Sequence, residues 1–215
     1  MCTARIATMN KNIGEEESKV GKDVMAADFE NISQLYEKQL ELPSGKPMHQ
    51  ILLCPVGLVG SGKTTVVKPL SKALSLLRIS SDEIRKILKE NGFNYVRTRE
   101  IAKNLIGKYL KQGFSVAIDA DCAGSSYELI NEISRNPQIK VIWIHINPPE
   151  SFILNKLRNY KHTWLFENAD DAIHCYQERK PLHEHLDMPF LYTFDTSRDN
   201  LDEQVKEAIE LIQAI

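Results

Sequence analysis

Gly57-Leu58-Val59-Gly60-Ser61-Gly62-Lys63-Thr64 is the stretch on which the fold turns. It has the G-x-x-x-x-G-K-T spacing of a loop that cradles phosphates. Gly57 and Gly62 permit tight turns, so the backbone N–H groups of Gly57, Leu58, Val59, Gly60, Ser61 and Gly62 can point inward at an anion. The helix that begins at Lys63 adds the positive end of its dipole. Lys63 is long enough to reach the β and γ oxygens of a triphosphate, Thr64 offers a hydroxyl to Mg2+, and Thr65 closes the nucleotide-binding run. ATP and Mg2+ are therefore the expected ligands.

The flanks of the loop agree with this reading. An apolar strand over residues 51–56 runs into it and a helical pattern over 63–74 runs out of it, with Pro69 about two turns in, where a kink is expected. Further outward, apolar runs over 76–79, 114–118, 140–146 and 190–194 read as buried strands. Helical patterns over 82–91, 99–112, 125–134, 149–159 and 201–212 separate them. Strands that alternate with helices need crossover connections, which predicts an α/β fold with a five-stranded, parallel, doubly wound sheet. The stretch over about 160–189 is polar, rich in His and too long for a plain connection, so it is expected to be a mobile, helical lid.

Upstream, Met25, Phe29, Ile32, Tyr36 and Leu40 recur at steps of three and four, which predicts an amphipathic helix over 24–40. Leu42-Pro43-Ser44-Gly45-Lys46-Pro47 then breaks the helix. The expected organisation is an extension over 1–46, with a mobile lead in its first twenty or so residues, and a nucleotide-binding domain over 47–215. Two occupants are open for the apolar stripe: this chain's own body, or a second copy in a homodimer.

Carboxylates mark the rest of the site. The strand that includes Val116-Ala117-Ile118 ends on Asp119, a position suited to holding Mg2+ through water. Asp121 either shares the face of Asp119 or caps the next turn. Ser80-Ser81-Asp82-Glu83-Ile84-Arg85 follows the second strand and reaches the carboxyl edge of the sheet, where ligands bind in open α/β folds. Asp82 and Arg85, three apart, can meet the same group. The plainer role for Asp82 is that of helix cap. No N-K-x-D sequence reads guanine, so a regulatory GTPase is disfavoured.

On the GxxxxGKT loop, the Asp82-x-x-Arg85 pair, the Val116-Ala117-Ile118-Asp119 strand end and a lid preceded by a helix carrying Arg158, the chain resembles the small P-loop kinases of the polynucleotide 5′-kinase and zeta-toxin type, often grouped as AAA-like kinases. The resemblance covers roughly Gln50 to the C-terminus. It implies that Asp82 acts as general base on an acceptor hydroxyl and that Arg85 contacts the phosphoryl group or substrate. It also implies a lid that embraces the triphosphate. Family members usually carry two arginines there, whereas Arg158-Asn159-Tyr160-Lys161-His162 offers one, leaving Arg158, Lys161 and the later Arg179 as alternative clamps. Arg97 and Arg99 could line the acceptor pocket or be surface charges.

Composition narrows the class. Lys+Arg 27 against Asp+Glu 29 and 7% aromatic residues argue against a protein that grips long nucleic acid chiefly by charge and stacking, while a local basic groove stays open. Cys2, Cys54, Cys122 and Cys175 form no CxxC pair, and His174, His183 and His185 have no zinc spacing and read as surface histidines. No apolar run reaches membrane-spanning length, and a cytoplasmic setting is expected. The expected function is transfer of the ATP γ-phosphoryl to a hydroxyl on a small or short acceptor, a nucleic acid 5′-hydroxyl included. The alternative is a regulatory or degenerate nucleotide-binding protein without transfer.

Overall fold

The computed structural model describes residues 21–45, 49–124, 126–159, 161, 165–184 and 186–215. The lead over residues 1–20, Lys46 and Pro47 of the helix-breaking segment, Ser125, Tyr160, His162 and His185 lie outside the described residues. In chain order the elements are α1 (Ala26–Glu37), β1 (Gln50–Val56), α2 (Lys63–Ala73), β2 (Leu77–Ser80), α3 (Ser81–Glu90), α4 (Thr98–Lys111) and β3 (Val116–Asp119). They continue with α5 (Tyr127–Ile133), β4 (Ile139–Ile146), α6 (Glu150–Arg158), α7 (Ala169–His183), β5 (Phe190–Phe194) and α8 (Leu201–Gln213). Among the described residues no helix is long and apolar enough to cross a membrane.

The five strands form one sheet in the order β2-β3-β1-β4-β5, with every pairing parallel. From β1 the chain crosses to β2 at one edge and returns inward to β3 beside β1, then passes to the other side of β1 through β4 and β5. The direction of winding therefore switches at β1, and a crevice opens beyond its carboxyl end. Leu52, Leu53, Cys54 and Val56 are all fully buried, because helices cover both faces of this strand. Leu52, Cys54 and Val56 face a core shared with α3, α4 and α5, whereas Leu53 faces one built with Val66, Val67 and Leu70 of α2 and Val205, Ala208 and Ile212 of α8.

The β1–β3 ladder is short, with Leu52 opposite Val116 and Leu53 opposite Ala117. Pro55, which has no N–H to give, lies beyond it, and its carbonyl accepts from the Cys122 N–H at 2.9 Å. The two strands part just where a ligand loop needs room. β3 begins at Val116, later than its apolar pattern suggests, because side chains replace the ladder before it. Ser115 Oγ accepts the Ile51 N–H at 2.8 Å, and Gln50 Nε2 donates to the Leu110 and Phe114 carbonyls at 2.7 and 3.0 Å. Pro69 sits inside α2 without ending it. The polar stretch read as a lid contains α7, with Ala172, Cys175 and Tyr176 buried.

The amphipathic helix is α1, and it packs on α3 and α4 of its own chain. Ile32 and Tyr36 are buried, Phe29 and Leu40 partly so, at a gain of about 1.5–3 kcal/mol for each large side chain withdrawn from water. Met25 departs from the expected stripe. It is the residue before the first turn, is 67% exposed, and Val24 is buried in its stead. The Tyr36 hydroxyl accepts the Ser80 N–H at 2.7 Å, an outward-facing donor that the edge strand β2 cannot satisfy within the sheet. Burial holds the Tyr36 phenol far above the usual range for tyrosine.

Replacing Tyr36 by Phe keeps the packing and orphans the Ser80 N–H. We expect a loss of about 1–3 kcal/mol in urea unfolding with an unchanged m-value. Met25→Ala serves as the control and should stay within about 0.5 kcal/mol of the parent chain.

Candidate nucleotide site

β1 delivers its last residue, Val56, to the switch point, and the loop from Gly57 to Gly62 turns there into α2. A Cβ on Gly57 would lie 2.7 Å from both the Ile146 carbonyl and Ser61 Oγ, so only glycine fits. Gly62 is the N-cap of α2 at φ +95°, and a Cβ there would press on Thr196. Thr196 Oγ1 donates to the Ser61 carbonyl at 2.6 Å, so the segment after β5 braces the loop. Lys63 arches back over it and donates to the carbonyls of Gly57 and Leu58 at 2.8 and 2.9 Å. Burial draws its ammonium below the usual lysine range, against the opposing pull of Asp121, Asp82 and Asp119.

Thr64 Oγ1 donates to Asp119 Oδ1 at 2.9 Å. The other carboxylate oxygen accepts Arg78 Nη1 at 2.6 Å, and the second nitrogen of that guanidinium is bonded to Glu83. Burial raises the Asp119 carboxyl above its ordinary value, partly offset by Thr64 and Arg78. A hydroxyl and a carboxylate side by side are hard oxygen donors of the kind Mg2+ takes, directly or through water. Among the described residues no group of three or more His, Cys, Asp and Glu could cage a metal. A Mg2+ held here would therefore draw further ligands from phosphate and water.

Asp82 and Arg85 form an ion pair at 2.8 Å on the first turn of α3. Asp82 is not the cap of that helix: Ser80 is the N-cap, and its Oγ accepts the Glu83 N–H at 3.5 Å. Asp121 has partners separate from those of Asp119. Its Oδ1 accepts the N–H groups of Gly57 and Ala123 at 3.2 and 3.3 Å, and its Oδ2 meets His183 Nε2 at 3.1 Å. Burial alone would raise the Asp121 carboxyl, yet His183, Lys63 and the Gly57 N–H together bring it below its ordinary range.

The helical lid lies directly on the loop. Ile153 and Leu157 of α6 and Ala172 and Tyr176 of α7 form a small core against which Leu58 and Val59 pack. Lys180 joins the two helices through Glu150 at 2.9 Å. The lid cations part company here. Arg158 ends α6 in an exposed position and Lys161 is exposed, whereas Arg179 is half-buried on α7 and its charge acts on both Lys63 and Arg99. Arg99 is also within electrostatic reach of Arg85. Arg97 turns outward, over the Phe29 ring at 5.8 Å and towards Glu100 at 3.5 Å.

One histidine corrects the surface reading: His183 is only 8% exposed and bonded to Asp121, because α7 turns this face onto the loop. His174, 71% exposed beside Glu178, fits that reading. Arg78 and Thr196 were not singled out from the sequence. An arginine inside the otherwise apolar Leu77-Arg78-Ile79 was the available signal for a buried carboxylate partner. Thr196 offered none, since its role depends on where β5 ends relative to α2.

A family model described as an AAA domain matches residues 52–128, from β1 into the first turn of α5. No curated protein matches the chain in sequence. Among solved structures, the APS kinase CysC of Mycobacterium tuberculosis, in complex with AMPPNP and APS, is 20% identical. It aligns over 78% of this chain and 99% of its own with a TM-score of 0.55. A structure from the PezAT chromosomal toxin-antitoxin system of Streptococcus pneumoniae is 14% identical over 89% of this chain and 98% of that one, with a TM-score of 0.55. These likenesses show a small P-loop kinase-like fold. They do not single out the polynucleotide 5′-kinase and zeta-toxin branch.

The depressed carboxyl of Asp121 sets a pH dependence. On acidification the unfolded chain binds this proton first, so the contribution to stability is present above an unfolded pKa of about 3.9 and is lost as pH falls through the folded value. Asp121→Asn should therefore be less stable than the parent chain at neutral pH, with the gap closing in acid. Unfolding free energies measured between pH 7 and the acid transition check this.

Proposed function

We propose that this chain is an ATP-dependent phosphotransferase that moves the γ-phosphoryl of Mg-ATP to a hydroxyl on a small or short acceptor. The observation that carries the reading is the juxtaposition of a complete phosphate loop with a base and an arginine at the next strand end. Lys63, Thr64 and Asp119 stand on one side and the Asp82–Arg85 pair on the other. Residues 47–215 are then the kinase domain and 1–46 its extension.

In this reading the run Gly57, Leu58, Val59, Gly60, Ser61, Gly62, Lys63, Thr64 and Thr65 holds the phosphates through its backbone N–H groups, apart from those of Gly57 and Ser61, which are taken by Asp121 and by the Leu58 carbonyl. Lys63 exchanges the carbonyls of Gly57 and Leu58 for phosphate oxygens. Mg2+, held by Thr64 and through water by Asp119, would neutralise charge on the β and γ phosphates. Asp82 accepts the proton of the acceptor hydroxyl, whose oxygen bonds to the γ-phosphorus as the bond to the β-γ bridging oxygen breaks and ADP departs. Arg85, paired with Asp82, contacts the transferring group. Arg158 ends the helix that precedes the lid, and we assign the phosphate clamp to Arg179, whose charge acts on Lys63.

Near-neutral charge and few aromatics support an acceptor shorter than a long nucleic acid strand. Titration with Mg-AMPPNP, followed by γ-labelled ATP and a panel of nucleosides, nucleotide sugars and short 5′-hydroxyl oligonucleotides, tests the reading. Lys63→Ala should lose nucleotide binding and keep the fold. Asp82→Asn should bind AMPPNP normally and lose transfer by about 10²–10⁴-fold. Binding and hydrolysis without transfer to any acceptor would favour a regulatory nucleotide-binding protein.

A further inference from the structure

His183 closes a three-part link between the lid and the phosphate loop. It is the last residue of α7, and its Nε2 lies 3.1 Å from Asp121 Oδ2. The other oxygen of Asp121 accepts the N–H of Gly57, the first residue of the loop, at 3.2 Å, and the N–H of Ala123 at 3.3 Å. Both side chains of the pair are largely withdrawn from solvent, at 8% exposure for His183 and 16% for Asp121. Where water is largely excluded, such a bond holds its geometry against competition.

The surroundings favour one orientation. Lys63 acts on Asp121 from the first turn of α2, and His145 of β4, stacked on Phe190 with ring centroids 4.6 Å apart, lies within electrostatic reach of His183. Arg179 precedes His183 by four residues on α7, so the two side chains rise from the same helix face. Fixing His183 against Asp121 therefore fixes the rotation of α7 about its axis. It also keeps the face that carries Arg179 turned to the loop. Lys180 and Glu150 hold the helix from the α6 side, Tyr176 packs with Leu58 and Val59 of the loop, and His183 ties its last turn to Asp121.

We infer that His183 is a positioning residue for nucleotide binding: through Asp121 it sets the entry to the phosphate loop, and through the helix it aims Arg179 over the cradle. The inference rests on the nucleotide-binding reading of the loop. It requires no contact between His183 and the nucleotide.

Calorimetry of Mg-AMPPNP binding to the full chain tests it. The parent chain should bind. His183→Ala should bind on the order of tenfold more weakly, as removal of an outer partner of a binding group typically does. His183→Gln, whose amide nitrogen can donate to Asp121 from a similar place, should recover most of that loss. In a cycle with Arg179→Ala the losses should be less than multiplicative, because the two residues act as one unit. Should the alanine variant fail to fold, His183→Asn, whose amide falls short of Asp121, takes its place with the same expectation. Unchanged affinity in His183→Ala, equal weakening by Ala and Gln, or fully multiplicative losses would each overturn the inference while leaving the nucleotide site intact. Absence of AMPPNP binding by the parent chain would instead bring down the nucleotide reading and the inference together.

Discussion

The hydrogen bond from Thr64 to Asp119 joins the first turn of α2 to the end of β3, and much of the architecture serves to let those two groups meet. β1 must be central, because only a central strand can send its loop between two neighbours. Its partnership with β3 must also end early, or the ladder would close the space that the loop enters. Pro55 marks that end, since it cannot extend the pairing. The Cys122 N–H then ties the segment after β3 to the Pro55 carbonyl, and Asp121 ties the same segment to Gly57. Three short bonds thus set the mouth of the cradle, while the hydrophobic layers on either face of β1 hold the strands that carry them.

Around that mouth the charges are divided rather than simply paired. Asp119 is buried and shares its two oxygens between a hydroxyl and Arg78, and Arg78 is itself shared with Glu83. Each member of this group is partnered, so none of these three charges stands alone, where an unpaired buried ion costs several kcal/mol. On the outer side, Arg85, Arg99 and Arg179 lie within electrostatic reach of one another or of Lys63, with Asp82 the carboxylate bonded to Arg85.

How much of this could be read from the sequence depended on whether local pattern or three-dimensional packing fixes the feature. The phosphate loop was legible because its glycines answer to backbone geometry within eight residues. The sheet was legible because strands covered on both faces are continuously apolar, as at Leu52, Leu53 and Cys54. Asp119 and the Asp82–Arg85 pair followed from their places at strand and helix ends, although the cap assigned to Asp82 as an alternative belongs to Ser80. The burial of His183 was not legible: it is set by how α7 lies on the loop, and the surrounding sequence is polar. Arg78 was missed for a related reason, since its partners come from a neighbouring strand and the next helix. In α1 the stripe was found but displaced at its start, because Met25 stands before the first turn and Val24 turns inward.

The contact between Tyr36 and Ser80 reaches past stability. β2 is the outermost strand on its side of the sheet, and an outermost strand offers its free N–H and C=O groups to any extended chain that passes. With α1 laid along α3 and α4, the Ser80 N–H is already claimed by the tyrosine hydroxyl. The amphipathic helix is in this sense a guard against self-association. It occupies one of the outward N–H groups through which the flank of the sheet most prone to recruit a stray strand would pair.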